Sequence, residues 1–137
     1  MQLSVKSDYA TRAVLGLAIH FHRDVAIRVE DLASEQGVPA NYLIQILIEL
    51  KSNGIVRSQR GKVGGYRLVR PPAEITFGQV LRSVHGKVFD PPAVGDSGCP
   101  VELREAWGRL QHVLDETSDA ITFQQLLDAR ENKMYYI

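Results

Sequence analysis

The stretch Asn41–Leu68, NYLIQILIELKSNGIVRSQRGKVGGYRL, decides the fold. Its first part, residues 41–53, predicts an amphipathic helix, because apolar residues recur at the spacing of one helix face. These residues are Leu43, Ile46, Leu47 and Leu50. Gly54 is expected to end the helix, since glycine adopts the left-handed backbone conformation at little cost. Two short runs then predict a β-hairpin: Ile55, Val56 and Ser58, followed by Tyr66, Leu68 and Val69.

The end of this helix and the hairpin carry a concentrated positive charge. Residues 51–70 contain no Asp or Glu. Their basic residues are Lys51, Arg57, Arg60, Lys62, Arg67 and Arg70. A helix followed by a basic, glycine-rich hairpin suits a DNA duplex. The helix fits the major groove, and the hairpin can reach the backbone or the minor groove. The alternative is a solvated hairpin beside a core helix, since charged runs are often only solvent-facing surfaces.

Composition indicates a chain that buries a core. Of the 137 residues, 45% are hydrophobic, and 16 basic and 16 acidic side chains give a formal net charge of zero. The charge is uneven, because residues 1–70 hold ten basic and six acidic side chains, whereas residues 71–137 hold six and ten. The neutral total is therefore compatible with nucleic-acid binding, since the field that matters is local.

Several classes of protein are disfavoured. No run of 18 apolar residues predicts a transmembrane helix, and the start MQLSVKSDYATR lacks the apolar core of a signal peptide. The expected location is therefore the cytoplasm. Cys99 is the single cysteine, so one chain can form neither an internal disulfide nor an all-cysteine metal site. We find no nucleophile–base pair, metal-ligand spacing or phosphate loop, and expect no metal and no enzymatic activity.

The residues before the central helix predict a helix-turn-helix. A first helix is expected from Ser7 to Phe21 and a second from Val29 to Gln36. The segment Val38-Pro39-Ala40 then leads directly into the helix of residues 41–53. A short helix, a glycine-containing turn and a second helix with polar residues at its start are the pattern of this DNA-binding motif.

The central helix carries candidate base readers outside its apolar stripe. They are Asn41, Tyr42, Ile44, Gln45 and Ile48. Asparagine and glutamine can pair with adenine, and isoleucine can touch a thymine methyl. Ile44 and Ile48 can instead extend the core against the first helix, and for Ile48 we favour the core. Tyr42 is expected to pack with its hydroxyl on a phosphate.

The back half predicts three further helices. Thr76–Gln79 and Thr122–Gln125 are capping boxes, in which a threonine caps a helix and the glutamine reaches back to it. The second box starts a short last helix in which Leu126 and Leu127 are expected to be buried. Between the first of these helices and the next lies the Pro/Gly/Asp-rich loop Lys87–Gly98, long enough to be functional or mobile.

The longest helix is predicted from Pro100 to about Ser118. Its apolar residues recur at steps of four, three and four, which is the spacing of a helix seam. They are Leu103, Trp107, Leu110 and Leu114. A stripe left over after the core is complete predicts a dimer interface; the alternative is that it packs on the front domain. The tail Glu131–Ile137 is expected either to pack on a partner or to fray.

Four pieces of the sequence resemble the Rrf2 family of bacterial winged-helix transcription regulators. They are Asp8-Tyr9-Ala10-x-Arg12-Ala13, Asn41-Tyr42-Leu43, the glycine/arginine pattern from Gly54 to Leu68, and Ile75-Thr76. The resemblance runs from Met1 to about Asp128, and the glycine/arginine pattern is its specific part. It implies a mostly α fold with a small β-hairpin: a winged helix-turn-helix (1–86), a sensor-type loop (87–99), and a long dimerisation helix with a short C-terminal helix (100–137).

The resemblance also implies a function. The expected protein is a homodimer that binds a roughly palindromic double-stranded DNA operator and represses transcription. The third helix would enter the major groove and the hairpin the minor groove. By position, the resemblance implies that Asn41 and Gln45 read bases or phosphates and that Ser58 and Arg60 belong to the wing. The full set of predicted DNA-binding residues adds Tyr42, Ile44, Lys51, Lys62, Gly65 and Tyr66. A winged-helix module that binds proteins without reading DNA is the alternative.

The sensor loop departs from the family pattern. Cluster-binding relatives carry three cysteines there, whereas this chain has only Cys99. One thiolate cannot hold an iron–sulfur cluster, which normally takes four ligands, so no cofactor is expected. Cys99 and Asp8 are the candidate sensor residues, through a site shared across a dimer or through oxidation of Cys99 beside a helix start. Otherwise Cys99 is an ordinary residue, and the signal molecule is unknown.

Overall fold

The chain begins with three helices that pack against one another. In the computed structural model, which describes residues 3–61 and 64–135, α1 spans Val5–Ile19, α2 spans Val29–Gln36 and α3 spans Ala40–Ser52. A 3-10 turn, Phe21–Arg23, follows α1. Gly54 has a φ of 73°, so the predicted stop after α3 is confirmed. The predicted helix-turn-helix is confirmed as α2 and α3.

A two-stranded antiparallel hairpin follows α3 and is called the wing, residues 56–68. Its strands are β1, Val56–Gln59, and β2, Gly65–Leu68, and Ser58 lies opposite Tyr66. Ile27, in the α1–α2 connection, pairs with the second strand. Its backbone N–H donates to the Tyr66 carbonyl at 2.8 Å, and its carbonyl accepts from the Tyr66 N–H at 2.9 Å. The wing is therefore attached to the helical body through β2.

Three more helices complete the fold. They are α4, Phe77–His85, α5, Val101–Ala120, and α6, Phe123–Tyr135. Both predicted capping boxes form, because the Thr76 hydroxyl accepts from the Gln79 N–H at 3.2 Å and the Thr122 hydroxyl from the Gln125 N–H at 3.1 Å. No helix in the described part of the chain combines the length and the apolar character that crossing a bilayer requires.

The last helix differs from the prediction in two ways. It is longer, because residues 131–135, expected as a packing or fraying tail, continue it to Tyr135. Its main anchor is Phe123, which is fully buried, whereas Leu126 and Leu127 are only partly buried. Residues 136 and 137 lie outside the described part of the chain.

The core lies between α1, α3 and α4 and is closed by the start of α6. The predicted stripe of α3 is confirmed as part of it. Its largest fully buried side chains include Leu17, Leu32, Leu43, Ile46, Leu47, Leu50, Ile75 and Phe123. Phe123 therefore contributes a residue of the C-terminal segment to the same core as the front helices. The assignment of residues 1–86 to DNA binding, 87–99 to sensing and 100–137 to dimerisation stays a prediction.

Candidate nucleic-acid interface

The two sides of α3 have opposite exposure. Its core stripe, Leu43, Ile46, Leu47 and Leu50, is at most 1% exposed. On the other side Tyr42 is 53% exposed, Ile44 43% and Ile48 47%, and Asn41 and Gln45 are exposed as well. The structure thus brings all the candidate readers of this helix onto one accessible surface.

The prediction that Ile48 extends the core is wrong, and the same alternative fails for Ile44. An α-helix advances about 100° per residue, so Ile48 points well away from its neighbour Leu47. α1 packs on the side where Leu47 lies, and that side is already filled by the buried stripe. Both isoleucines therefore present their side chains to solvent.

Tyr42 is held by an aromatic contact with α1. Its ring meets the Tyr9 ring edge-on, with centroids 5.9 Å apart and planes at 80°. The Arg12 guanidinium lies 5.7 Å from the Tyr9 centroid and binds both carboxylate oxygens of Asp8, at 3.1 and 3.0 Å. The expected packing of Tyr42 is present, and Asp8, a candidate sensor residue, is engaged by Arg12.

The tip of α3 and the wing are joined by a side-chain contact. Lys51 Nζ donates to Ser58 Oγ at 2.8 Å, so two predicted DNA-binding residues hold each other in position. Arg57 and Arg60 are exposed, and neither forms an ion pair with any residue that the structure describes. Lys62 lies outside the described residues. The wing thus carries two exposed arginines that form no ion pair among the described residues, on the hairpin whose Ser58 is bonded to α3.

Arg67 has a different role from the neighbouring arginines. Its guanidinium donates to the carboxylate of Asp24, and its side chain is only 16% exposed. Asp24 adopts a left-handed backbone conformation, with φ of 53°. The hydrogen bond from Arg67 and its positive charge hold the pKa of the Asp24 carboxyl below its ordinary value. The pair fastens β2 to the end of the 3-10 turn after α1.

Gly65 and Tyr66 have structural roles in attaching the wing. A Cβ at position 65 would lie 2.1 Å from the Ile27 carbonyl oxygen, so only glycine fits there. The half-buried Tyr66 supplies both backbone hydrogen bonds to Ile27 and packs against the core. Their contact with DNA stays a prediction.

α5 exposes its predicted seam. Leu103 is 55% exposed, Trp107 40%, Leu110 54% and Leu114 36%. Packing of this stripe on the front domain is therefore ruled out within one chain. Ser118 is the single buried residue of α5, and Val101 and Val113 add to its exposed apolar surface.

The predicted sensor loop lies along α5. The Phe89 and Trp107 rings approach to 6.0 Å, and Gln111 Nε2 donates to the Phe89 carbonyl at 3.0 Å. The loop contains a 3-10 turn, Pro92–Gly95. A cavity of about 450 Å³, mostly apolar in its walls, lies between the loop and Trp107.

Comparison with known proteins gives consistent matches over most of the chain. The model of the Rrf2 family, described as an iron-dependent transcriptional regulator, matches residues 3–129. A protein of Mycobacterium tuberculosis named as an HTH-type transcriptional regulator is 37% identical over 127 residues, which are 86% of this chain and 78% of the relative. The HTH-type transcriptional regulator IscR of Aliivibrio salmonicida is 32% identical over 131 residues, 93% of this chain and 77% of the relative.

Two solved structures share the fold over nearly the full length. IscR of T. potens has a TM-score of 0.81 and 28% identity, and the match covers 97% of this chain and 90% of that one. CymR, the global cysteine regulator of B. subtilis, has a TM-score of 0.84 and 26% identity, covering 94% and 98%.

The residues of one chain do not fit an iron–sulfur cluster. Cys99 is the single cysteine, and its half-buried position is set by a turn in which its N–H donates to the Asp96 carbonyl at 3.1 Å. The Asp8 carboxylate is bound by Arg12. Within the described ranges, no group of three or more His, Cys, Asp or Glu side chains is placed to hold a metal. The ligands that such a cluster normally takes are therefore incomplete in a single chain.

Proposed function

The chain belongs to the Rrf2 family of transcriptional regulators, and on this premise we propose that it acts in the cytoplasm as a homodimeric repressor. It is a DNA-binding transcription regulator of the helix-turn-helix type. The proposal concerns how it binds: α3 lies in the major groove, the wing reaches the minor groove, and the operator is roughly palindromic.

The observation that carries the proposal is the surface shared by α3 and the wing. Glu49 is the one acidic residue of α3. Its carboxylate is not free, because it binds Lys6 Nζ of α1 at 2.6 Å. Arg57 and Arg60 are exposed, form no ion pair among the described residues and belong to the wing, whose Ser58 is bonded to Lys51 of α3. A helix face without a free carboxylate, joined to a hairpin with exposed arginines, suits a groove bordered by two phosphate backbones. Most of the affinity is then expected from phosphate neutralisation, which makes binding fall steeply with salt.

The exposed stripe of α5 supports the dimer. Two copies joined through this stripe carry two α3 helices related by a twofold axis, and such a dimer binds two half-sites in inverted orientation.

The proposal is tested by measuring DNA affinity with a single arginine removed. Arg60→Ala is expected to weaken binding of a selected operator by about 1–3 kcal/mol, the cost of losing a specific arginine contact. Arg130→Ala, which removes an exposed arginine from α6 on another part of the chain, is the matched control. Gel-shift titrations at two salt concentrations give both the affinity and its salt slope.

Two results would contradict the proposal. Failure to retain any duplex at low salt would favour the module that binds proteins without reading DNA. Equal affinities for Arg60→Ala and Arg130→Ala would show that the wing is not part of the DNA interface.

A further inference from the structure

The exposed side of α3 carries a stripe of four uncharged side chains. Asn41, Ile44, Gln45 and Ile48 follow the spacing i, i+3, i+4 and i+7, so they lie along one line of the helix. Ile44 and Ile48 are 43% and 47% exposed and lie one helical turn apart, so they form a small apolar patch beside the two carboxamides. The stripe thus alternates two carboxamides with two branched alkyl groups.

Charged side chains are missing from this stripe. Arginine and lysine are the usual readers of guanine, and aspartate and glutamate accept from cytosine. Between Ala40 and Ser52 the charged residues are Glu49 and Lys51. Glu49 is bound to Lys6 at 2.6 Å, and Lys51 donates to Ser58 at 2.8 Å. Neither the usual guanine reader nor the usual cytosine reader is therefore available along this line.

We propose that α3 selects A·T base pairs and recognises thymine through its 5-methyl groups. This inference rests on the proposed function, because it requires α3 to lie in the major groove. The Asn41 and Gln45 carboxamides match the acceptor and donor that adenine presents there, and Ile44 and Ile48 match the thymine methyl. Burying a methyl against an exposed isoleucine removes apolar surface of both partners from water. The proposed contact with thymine methyl groups thereby accounts for the exposure of Ile44 and Ile48.

The first experiment is selection from a random duplex library with the full-length chain. The expected product is a pair of inverted half-sites in which the base pairs under α3 are A·T. Enriched half-sites with invariant G·C pairs at those positions would overturn the inference while leaving the proposed function intact. No enrichment at all would overturn both.

The second experiment isolates the methyl groups. Each half-site thymine in the selected duplex is replaced in turn by deoxyuridine, which removes only the methyl. For the unmodified protein, two such positions in each half-site, one for each isoleucine, are expected to lose about fourfold in affinity, the factor expected for burying one methyl-sized group. Deoxyuridine placed outside the half-sites is the control on the DNA.

The contact is assigned by combining both changes. Ile44→Ala and Ile48→Ala are solvent-exposed truncations, so both variants are expected to fold, with a thermal unfolding midpoint close to that of the unmodified protein. Each variant should become insensitive to deoxyuridine at one position and keep its sensitivity at the other. The inference fails if both variants keep the sensitivity of the unmodified protein at every position.

Discussion

Two helices of this protein expose large apolar side chains, and they do so in different surroundings. On α3, the exposed isoleucines alternate with carboxamides, and the wing that follows this helix carries two exposed arginines. On α5, the exposed Leu103, Trp107, Leu110 and Leu114 lie on a helix with five acidic and two basic side chains. Exposure alone would suggest the same kind of partner for both.

The difference in charge separates the two partners. A net-negative helix repels a polyanion, so the apolar stripe of α5 is unsuited to DNA and suits another protein surface. Its seam spacing suits a second copy of the same helix. The single carboxylate of α3 is neutralised by Lys6, and the wing bonded to the end of α3 carries two exposed arginines, which favours the duplex. The surroundings of an exposed apolar residue thus indicate its partner more specifically than its exposure.

The largest expected effect comes from a charge placed in the α5 stripe. Leu110→Asp places a carboxylate among the apolar side chains of the proposed dimer seam, so the dimer is expected to dissociate. Operator affinity should then fall by about a hundredfold or more, because two linked half-sites become two independent ones. Light scattering coupled to size-exclusion chromatography measures the mass, and gel shift measures the affinity.

The matched control places the same carboxylate on the opposite side of α5. His112→Asp changes an exposed side chain two residues further along, about 200° around the helix. It should leave both mass and affinity unchanged. A Leu110→Asp protein that still has the mass of a dimer would assign the seam to another surface.

A smaller effect is expected when the wing is displaced without touching α3. In Gly65→Ala the new Cβ would meet the Ile27 carbonyl oxygen, so the two backbone hydrogen bonds between Ile27 and Tyr66 must break. At about 1 kcal/mol for each bond, the free energy of unfolding should fall by about 2 kcal/mol. Urea unfolding measures this loss, and amide hydrogen exchange should show lost protection at these two residues.

The same variant separates the effect of the wing on DNA binding from the effect of α5 on dimerisation. DNA affinity should fall because the wing arginines move, whereas the dimer mass should stay the same. Gly95→Ala is the control, since no atom lies within 4 Å of a Cβ placed there. Retained exchange protection at Tyr66 in Gly65→Ala would show that the wing tolerates the extra carbon.

Local patterns in the sequence were sufficient for most of the secondary structure. The end of α2 at Gly37, the core stripe of α3 and both capping boxes follow from spacing and capping chemistry, which act within a few residues. The exposed seam of α5 was also predicted, because its periodicity continued beyond what the core could use.

Contacts between distant residues could not be predicted in the same way. Asp24 and Arg67 are 43 residues apart, and no periodicity or motif links them. Arg67 therefore looked like one more cation of the basic run, although the structure pairs it with Asp24. Ile48 was misassigned for a related reason: the sequence shows that it is apolar, but not that α1 is already covered by neighbouring residues.

The smallest effect is expected from the pair that fastens the wing. Asp24→Asn keeps a residue type that tolerates the left-handed conformation and removes the charge that Arg67 binds. Because Asp24 is largely exposed, the melting temperature at pH 7 should fall by only about 1–3 °C. Glu131→Gln, which removes an exposed carboxylate from α6, is the control for the change in net charge.

The lowered pKa of Asp24 determines how the effect of Asp24→Asn on the melting temperature changes with pH. The pKa of Asp24 is lowered in the folded protein, so the pair contributes stability above the ordinary pKa of an aspartate, about 3.9, and loses it as the pH falls through the lower folded value. The difference in melting temperature between the unmodified protein and Asp24→Asn should therefore be constant from pH 7 to about 5 and shrink below pH 4. A difference that persists unchanged at pH 3 would mean that Asp24 acts through its backbone conformation. In that case the wing would be fastened by the turn itself, and Arg67 would be available to DNA like Arg57 and Arg60.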